Sequence, residues 1–307
     1  MTKPPSTPSS RGCFLMDRKP RLKDWIEAGG VALLFYLFKA LPVRIASEIG
    51  GFLARTIGPP LGISRRADRS LAKAFPEMGA GDRRQALCRM WDNLGRTFAE
   101  LPHISALNRG AYQDRVQVEG AEHLTAAQAT GRRIIFFTGH FGNWEISKAV
   151  PLRGGARVTI IYRAPNNPII DRLLHSVREA DLEFVPKGRV AARGTMEALN
   201  EGRAVGFLID QKLNDGIPVP FLGRDAMTAP VLARLALRYD CAVLPVRVDR
   251  LPGARFRVTC EPALDYEKTG DTRADTFALM RQCNAVLERW VRERPDQWFW
   301  LHRRWPD

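Results

Sequence analysis

Short apolar runs alternate with helical patterns from about residue 131 onwards, and this alternation restricts the possible folds more than any other feature of the sequence. Each run is short and apolar enough to be a strand buried on both faces, and the runs occupy 134–137, 158–161 and 204–209. The intervening segments repeat apolar residues at helical spacing, at 144–150, 168–180 and 191–201. This order predicts an α/β fold with a mostly buried central sheet flanked by helices.

The same pattern continues towards the C-terminus. Two further strands are predicted at 242–248 and 256–260, separated by a Leu-Pro-Gly turn at 251–253. A long helix is predicted over 272–294, where a proline then ends it.

The part of the chain before the sheet is helical in pattern, over about 40–115. Within it, the segment 82–101 places apolar residues at three- and four-residue steps, which gives a helix with one apolar face. Since α/β folds of this length are often single domains, we expect residues 41–307 to form one domain.

The N-terminal segment has a different composition. Residues 1–24 are rich in Pro, Ser and basic residues and predict a flexible basic tail. The apolar stretch Ala28–Phe38 is 11 residues long, whereas a bilayer span needs about 20 residues. We therefore interpret 25–40 as a helix lying at a membrane interface, with basic residues of the tail near lipid phosphates. A core helix of the globular domain is the alternative.

The charge of the chain points to an anionic partner. The sequence has 47 Lys and Arg against 33 Asp and Glu, which gives a net charge of +14. Nucleic acid, an acidic protein and an anionic membrane surface would each satisfy this charge. Because no nucleic-acid-binding motif is apparent, we expect a membrane surface or an acidic protein as the partner, and no nucleic acid.

A strand, a turn and a helix enclose the candidate catalytic residues. His140 follows the predicted strand 134–137, and Asn143 is a good N-cap for a helix that contains Glu145. Gly139 and Gly142 allow a turn that brings His140 and Glu145 together, so that His140 could act as a general base with Glu145 holding the imidazole. The simpler alternatives are a structural histidine, and a Glu145 that only favours the positive end of the helix dipole.

Several ordered motifs resemble one family, the late (secondary) acyltransferases of lipid A biosynthesis, which include the lauroyl- and myristoyltransferases of Gram-negative bacteria. The segment 139–145 (GHFGNWE) is similar to the H-x4-D/E box of that family. The similarity continues in other segments over roughly 30–307, namely 94–100 (LGRTFAE), 162–168 (YRAPNNP), 209–211 (IDQ), 219–223 (VPFLG) and 294–304 (RPDQWFWLHRR).

The resemblance implies a fold like that of the glycerolipid acyltransferases and an acyl-carrier-protein-dependent O-acyltransferase. Such an enzyme transfers a fatty acyl chain to a hydroxyl of a lipid A precursor at the cytoplasmic face of the bacterial inner membrane. Matching the motifs residue by residue implies two sets of site residues. The catalytic set is His140, Glu145, Arg178 and Asp210, and the substrate-binding set is Arg163, Asn143 and Gln211.

The oxyanion of the transition state needs hydrogen-bond donors. Arg163, Arg178 and a backbone N–H at the Gly142–Asn143 turn are the candidates. Simpler interpretations stay open, since Arg178 could be a solvated helix residue and Asp210 could cap a loop. The sequence contains no H-E-x-x-H motif or other cluster with metal-ligand spacing, so we expect neither a metal ion nor a cofactor.

Two further alternatives stay open at this point. The acceptor could be another glycolipid, such as a phosphatidylinositol mannoside, or the chain could be a basic membrane-binding protein without enzymatic activity. The aromatic C-terminal segment 298–305 is also ambiguous. Its tryptophans and arginines suit the headgroup level of a membrane, but they equally suit a buried C-terminal strand.

Overall fold

A computed structural model describes residues 20–162, 164–176, 182–186 and 189–305. The chain begins with five helices, and the first strand follows them. These elements are α1 (Leu22–Ala40), α2 (Val43–Ile57), α3 (Gly62–Ala74), α4 (Ala80–Glu100), α5 (Ile104–Arg109) and β1 (Val116–Glu119). Helices and strands then alternate through α6 (Ala121–Ala129), β2 (Ile134–Thr138), α7 (Ala149–Arg153), β3 (Val158–Tyr162), α8 (Pro168–His175), β4 (Leu182–Pro186), α9 (Arg189–Asn200) and β5 (Ala204–Leu208).

The C-terminal third completes the fold. It contains β6 (Ile217–Phe221), β7 (Arg224–Thr228), α10 (Val231–Tyr239), β8 (Ala242–Leu251), β9 (Arg255–Cys260) and α11 (Thr272–Glu293). Short 3-10 helices lie at Leu101–His103, Gln113–Arg115, Trp144–Lys148 and Pro295–Gln297.

The central sheet has seven strands in the order β1-β9-β8-β2-β5-β3-β4. Among the described strands of this sheet, the β8–β9 pair alone is antiparallel, and the other neighbours are parallel. Strands β6 and β7 form a separate antiparallel hairpin. The predicted α/β fold with a mostly buried central sheet flanked by helices is therefore confirmed, and the sheet is mostly parallel.

The sheet separates two apolar cores. Along β2, Ile135 and Phe137 belong to the core that includes α4, α10 and α11, whereas Ile134 and Phe136 face the core beneath α6 and α7. All five residues of β2 are buried, because both of its faces are covered. A strand of this kind has no polar face, which is why its sequence is a continuous apolar run.

Some predicted elements differ from the structure. The helix expected at 144–150 is a 3-10 helix over Trp144–Lys148 followed by α7. The helix expected at 168–180 is α8, which ends at His175 with Ser176 as its C-cap, and the predicted positions 177–180 fall outside the described residues. Strands β1, β4, β6 and β7 had not been predicted.

The N-terminal helix α1 begins at Leu22, three residues before the predicted start at 25, while most of the predicted tail lies outside the described residues. It packs on the body of the protein along one side, where the side-chain amide of Asn167 donates a hydrogen bond to the Asp24 carbonyl (2.8 Å). No helix in the described part of the chain is long and apolar enough to cross a membrane. The interfacial role of 25–40 stays a prediction.

Candidate active site

The loop after β2 carries His140 at the carboxyl end of the sheet. Gly142 turns this loop with φ of +56°, and a Cβ at this position would lie 2.0 Å from the carbonyl oxygen of Val248. Only glycine fits both conditions. The C-terminal segment fastens the loop on each side of the turn, because the Gly142 N–H donates to the Gln297 carbonyl (2.9 Å) and the Phe299 N–H donates to the His140 carbonyl (3.0 Å).

His140 forms a hydrogen-bonded pair with Asp210. Nδ1 of His140 lies 2.8 Å from Oδ1 of Asp210, whose side chain is fully buried. A carboxylate can only accept, so Nδ1 is the donor, and in the neutral imidazole the lone pair is on Nε2. This is the tautomer that a general base at Nε2 requires.

Three donors hold the Asp210 carboxylate in place. Besides Nδ1 of His140, the backbone N–H of His140 (2.7 Å) and Nε1 of Trp298 (2.9 Å) both donate to Oδ2. Burial alone would raise the pKa of Asp210, but the charge and hydrogen bonds of His140 outweigh burial and hold that pKa well below its usual range. Asp210 is therefore a carboxylate at neutral pH.

His302 supports Asp210 from the backbone side. Nε2 of His302 donates to the Asp210 carbonyl oxygen (2.9 Å), and its ring centroid lies 6.1 Å from that of His140. Burial lowers the pKa of His302 to about 4, so this imidazole is neutral near pH 7. The neutral His302 therefore orients Asp210 without placing a positive charge beside His140.

The prediction that Glu145 holds the His140 imidazole differs from this geometry. The residue that holds Nδ1 of His140 is Asp210, and the Glu145 carboxylate forms an ion pair with Lys148. The reason is the sheet order: β2 and β5 are parallel neighbours with Thr138 opposite Leu208, so the residues two positions further on, His140 and Asp210, reach the same level. Glu145 nevertheless lines the same cavity as His140.

Asn143, predicted to bind substrate, is fully buried and holds the loop instead. Its side-chain oxygen accepts a hydrogen bond from the Glu145 N–H (3.2 Å), and its amide nitrogen donates to Oε2 of Glu100 (2.7 Å). Glu100 is paired in turn with the guanidinium of Arg250. A buried amide that is bonded through both its oxygen and its nitrogen positions the His140 loop.

The other predicted residues have different outcomes. Gln211 lines the cavity, and its Nε2 lies 3.5 Å from Nε2 of His140. Arg163 and Arg178 fall outside the described residues, so their roles stay predictions. The Gly142 N–H, one of the candidate oxyanion donors, is already bonded to Gln297 and is not available.

An apolar cavity of about 240 Å³ opens beside His140. It runs back along the sheet from Tyr162, at the carboxyl end of β3, to Val158 at the start of the same strand, a depth of roughly 13 Å at 3.3 Å per residue. Its walls are mainly aliphatic and aromatic, with Phe136, Ile160, Phe184, Gly206 and Leu208 among them. Such a narrow, deep and apolar space suits a hydrocarbon chain.

The sequence as a whole matches one family model. The model of the bacterial lipid A biosynthesis acyltransferases matches residues 17–307. The chain belongs to this family. Among the described residues of this acyltransferase, no group of three or more His, Cys, Asp or Glu side chains could hold a metal ion.

Individual relatives agree with this assignment at low identity. A lipid A biosynthesis lauroyltransferase of Escherichia coli is 27% identical, over 91% of this chain and 91% of its own length. A lipid A biosynthesis acyltransferase of Haemophilus influenzae is 24% identical (88% and 85%), and a phosphatidylinositol mannoside acyltransferase of Mycobacterium tuberculosis is 26% identical (92% and 88%).

One solved structure with a likeness to the chain is the 1-acyl-sn-glycerophosphate acyltransferase of Thermotoga maritima. It aligns with 15% identity and a TM-score of 0.38, over 90% of this chain and 99% of that one.

The C-terminal segment of this acyltransferase is part of the active-site framework. Trp298, Trp300 and Trp305 are buried, and Arg304 is buried with its Nη2 donating to Oγ1 of Thr228 (2.8 Å). Burial lowers the pKa of Arg304 to about 10. The interpretation of these residues as a membrane headgroup contact is therefore wrong. The alternative was a buried C-terminal strand: the segment is buried, but it is not a regular strand.

Sequence reasoning missed the residues that support Asp210. Trp298 and His302 had been noted only as parts of a motif, although both lie in the segment that resembles the family. The signal that could have found them is the high density of Trp and His, aromatic residues that can form hydrogen bonds, in a segment with no helix or strand pattern. Such side chains find a hydrogen-bond partner when they are buried.

Proposed function

We propose that the chain transfers a fatty acyl chain from acyl-carrier protein to a hydroxyl of a lipid A precursor, as a late step of lipid A assembly. The observation that carries the proposal is the place of Nε2 of His140. His140 lines an apolar cavity and its Nδ1 is bound to a buried carboxylate, so Nε2 is the ring nitrogen left for a substrate in that cavity. A base next to a hydrocarbon cavity is what acyl transfer to a hydroxyl requires.

The reaction begins with removal of a proton from the acceptor hydroxyl, which is a poor nucleophile at neutral pH. Nε2 of His140 takes this proton as the hydroxyl oxygen attacks the thioester carbonyl and a new C–O bond forms. The C–S bond then breaks, and the departing thiolate takes the proton from the imidazolium. The carboxylate of Asp210, 2.8 Å from Nδ1, stabilises that imidazolium throughout.

The acyl chain occupies the apolar cavity during transfer. Its carbonyl carbon lies near His140 and its methyl end near Val158, because the cavity has its polar mouth at His140 and Gln211 and its apolar end at the start of β3. Burial of each methylene in such a space contributes about 0.8 kcal/mol to binding. The cavity thereby holds the thioester next to the base.

Glu145 belongs to the wall of this cavity in the proposed mechanism. Its ion pair with Lys148 places a carboxylate and an ammonium in the lining of the cavity that His140 also lines, and Lys148 lies over the ring of Phe184 (5.4 Å). We assign the pair to orienting the polar end of the substrates beside His140.

The donor and the acceptor also account for the charge of the chain. Acyl-carrier protein is acidic, so a net charge of +14 favours its approach by electrostatic attraction. The acceptor is a membrane lipid, so the enzyme has to work at a membrane surface.

We propose that an apolar surface formed by α1 and α2 attaches the enzyme to the cytoplasmic face of the inner membrane. Helix α1 exposes Trp25, Leu33, Leu34 and Leu37, and helix α2 exposes Ile45, Ile49, Phe52, Leu53 and Ile57. Several exposed apolar side chains on adjacent helices are typical of membrane or protein contact sites. The surface extends the predicted interfacial segment 25–40 to the following helix.

The alternative acceptor, a phosphatidylinositol mannoside, has support from one relative of comparable identity, and no described residue favours it over a lipid A precursor. Mass spectrometry of lipid A from a strain that lacks this protein tests the proposal. We expect lipid A short of one secondary acyl chain. An unchanged lipid A, with a change in another glycolipid instead, would contradict it.

A further inference from the structure

Four arginines surround a cleft on the side of the protein formed by α3 and the start of α4. The cleft has a volume of about 380 Å³, and its charged lining consists of Arg65, Arg69, Arg83, Arg84 and one carboxylate, Asp68. Four arginines and one aspartate give it a net charge of +3. We call this site the arginine cleft.

Most of this positive charge is not neutralised. Within the part of the chain that the structure describes, Arg65, Arg69 and Arg84 make no ion pair or hydrogen bond through their side chains. Arg83 is held in place, since its Nε donates to Asp68 (3.2 Å) and its Nη1 donates to the Met78 carbonyl (2.7 Å). Three free guanidinium groups therefore surround one fixed one.

The position of the arginine cleft in the fold makes its uncompensated positive charge less favourable. Arg83 and Arg84 are the fourth and fifth residues of α4, whose N-cap, Gly79, supplies no side-chain hydrogen bond and whose first turn carries one acidic residue, Asp82. The N-terminus of a helix carries a partial positive charge, so two arginines beside it are unfavourable, and the single carboxylate of Asp82 offsets only part of their charge. Arg65 and Arg69 are one turn apart on α3 and therefore add two like charges on the same face.

The surroundings of the cleft indicate where its anion comes from. Pro59 is part of the lining, and it follows directly after α2, whose apolar face is proposed to contact the membrane. Leu61 and Ile63, four and two residues before Arg65, are exposed apolar side chains. A basic cleft at the edge of an apolar surface lies at the depth of lipid phosphates when that surface rests on a bilayer.

We infer that the arginine cleft binds the phosphate of a lipid headgroup. The guanidinium is the side chain best suited to bidentate contact with phosphate oxygens. A protein partner would need about 800 Å² of contact surface on each side, and a small concave cleft does not provide that. The inference rests on the proposed membrane attachment, and it adds a site for a single phosphate to a surface that otherwise offers only apolar contact.

Flotation of the full chain with vesicles tests the inference. One set of vesicles contains phosphatidylcholine alone, and the other contains phosphatidylcholine mixed with phosphatidic acid. The test variant combines Arg65→Ala, Arg69→Ala and Arg84→Ala and keeps Arg83, which is bonded within the fold. The matched control combines Arg234→Ala, Arg238→Ala and Arg281→Ala, three exposed arginines of α10 and α11 that lie outside the cleft and remove the same charge.

Each basic residue near an anionic surface contributes roughly fivefold to binding, so the test variant should bind phosphatidic acid vesicles about 100-fold more weakly than the wild type. Its binding to neutral vesicles and its turnover on detergent-dispersed acceptor should be unchanged, because the three arginines contact neither the apolar surface nor the active site. The control variant should lose only a small part of its binding to the anionic vesicles.

Four results would overturn the inference. Equal losses in both variants would mean diffuse charge attraction, and no loss in the test variant would mean that the cleft is unused. Release of the wild type by millimolar inorganic phosphate, to the level of the test variant, would make free phosphate the ligand. A raised KM for the acyl-carrier protein donor with unchanged vesicle binding would make the cleft a docking site for an acidic protein.

The proposed function fails separately, if the wild type binds vesicles as expected but transfers no acyl chain.

Discussion

Replacement of Asp210 by Asn should disable the base without removing it. The two acceptor atoms of Asp210 have different partners: Oδ2 receives two fixed N–H donors, from His140 N and Trp298 Nε1, and Oδ1 faces Nδ1 of His140. The amide oxygen of an Asn will therefore take the place of Oδ2, since neither of those donors can accept. The amide NH₂ group then faces Nδ1 and donates to it.

This reversal moves the imidazole proton to Nε2, where it blocks the lone pair that the reaction needs. The variant also loses the negative charge that stabilises the imidazolium, and a hydrogen bond to a charged group contributes about 1.5–3 kcal/mol. With both effects together, we expect Asp210→Asn to reduce kcat/KM by about 10³, within the 10² to 10⁴ range of general-base catalysis and wrong-tautomer variants. Glu145→Gln is the matched control and should lose at least tenfold less, because Glu145 pairs with Lys148.

The assay compares initial rates of acyl transfer from acyl-carrier protein for the wild type and both variants. Nitrogen NMR of the His140 imidazole provides a second readout, because it distinguishes a proton on Nδ1 from a proton on Nε2. The reasoning would be refuted if Asp210→Asn kept activity within a few-fold of the wild type. It would also be refuted if Glu145→Gln lost as much activity as Asp210→Asn, since the carboxylate that orients His140 would then be Glu145.

Three further predictions address stability, chain length and metal dependence. Between pH 6.5 and about 4 His302 is protonated in the unfolded chain but not in the folded chain. The free energy of unfolding should therefore fall by up to about 3 kcal/mol as the pH drops through this window. Urea unfolding at about pH 7.5 and 5 checks this, and an equal drop in the His302→Gln variant would contradict it. Val158→Phe fills the end of the cavity and should shift the preference towards shorter acyl chains in a competition between acyl-carrier proteins, whereas an unchanged preference in the folded variant would place the chain elsewhere. Exhaustive dialysis against EDTA should leave the rate unchanged, because a hydroxyl activated by an imidazole needs no Lewis acid, and activity restored only by added Zn²⁺ or Mg²⁺ would contradict this.

The sequence predicted the parts of the fold whose signal is local. Strands β2, β3, β5, β8 and β9 lie within three residues of their predicted bounds, and α11 ends at Glu293, one residue from the predicted end. Buried strands were found because they are continuous apolar runs. Strand β6 was missed because Pro218 and Pro220 argue against a strand, and it exists only as one arm of a two-stranded hairpin.

The site could be predicted only in part, for a reason that lies in the sheet order. His140 was found because a glycine-flanked histidine after a buried strand is a local pattern. Its partner was not, since the neighbour of β2 is β5, with β3 and β4 between them in sequence, and the order of parallel strands is not a local property. Glu145 was chosen as the partner because it is close in sequence, whereas Asp210 is close in space, 70 residues further on.

The most direct test of the central claim is a reaction with purified components. Wild-type protein and the His140→Ala variant are each mixed with acylated acyl-carrier protein and a lipid A precursor. The mass of the lipid product is then measured over time by mass spectrometry. We expect the wild type to add one acyl chain to the precursor, and His140→Ala to be slower by about 10² to 10⁴ while keeping the wild-type unfolding temperature. A folded His140→Ala protein that transfers acyl chains within a few-fold of the wild-type rate would contradict the account.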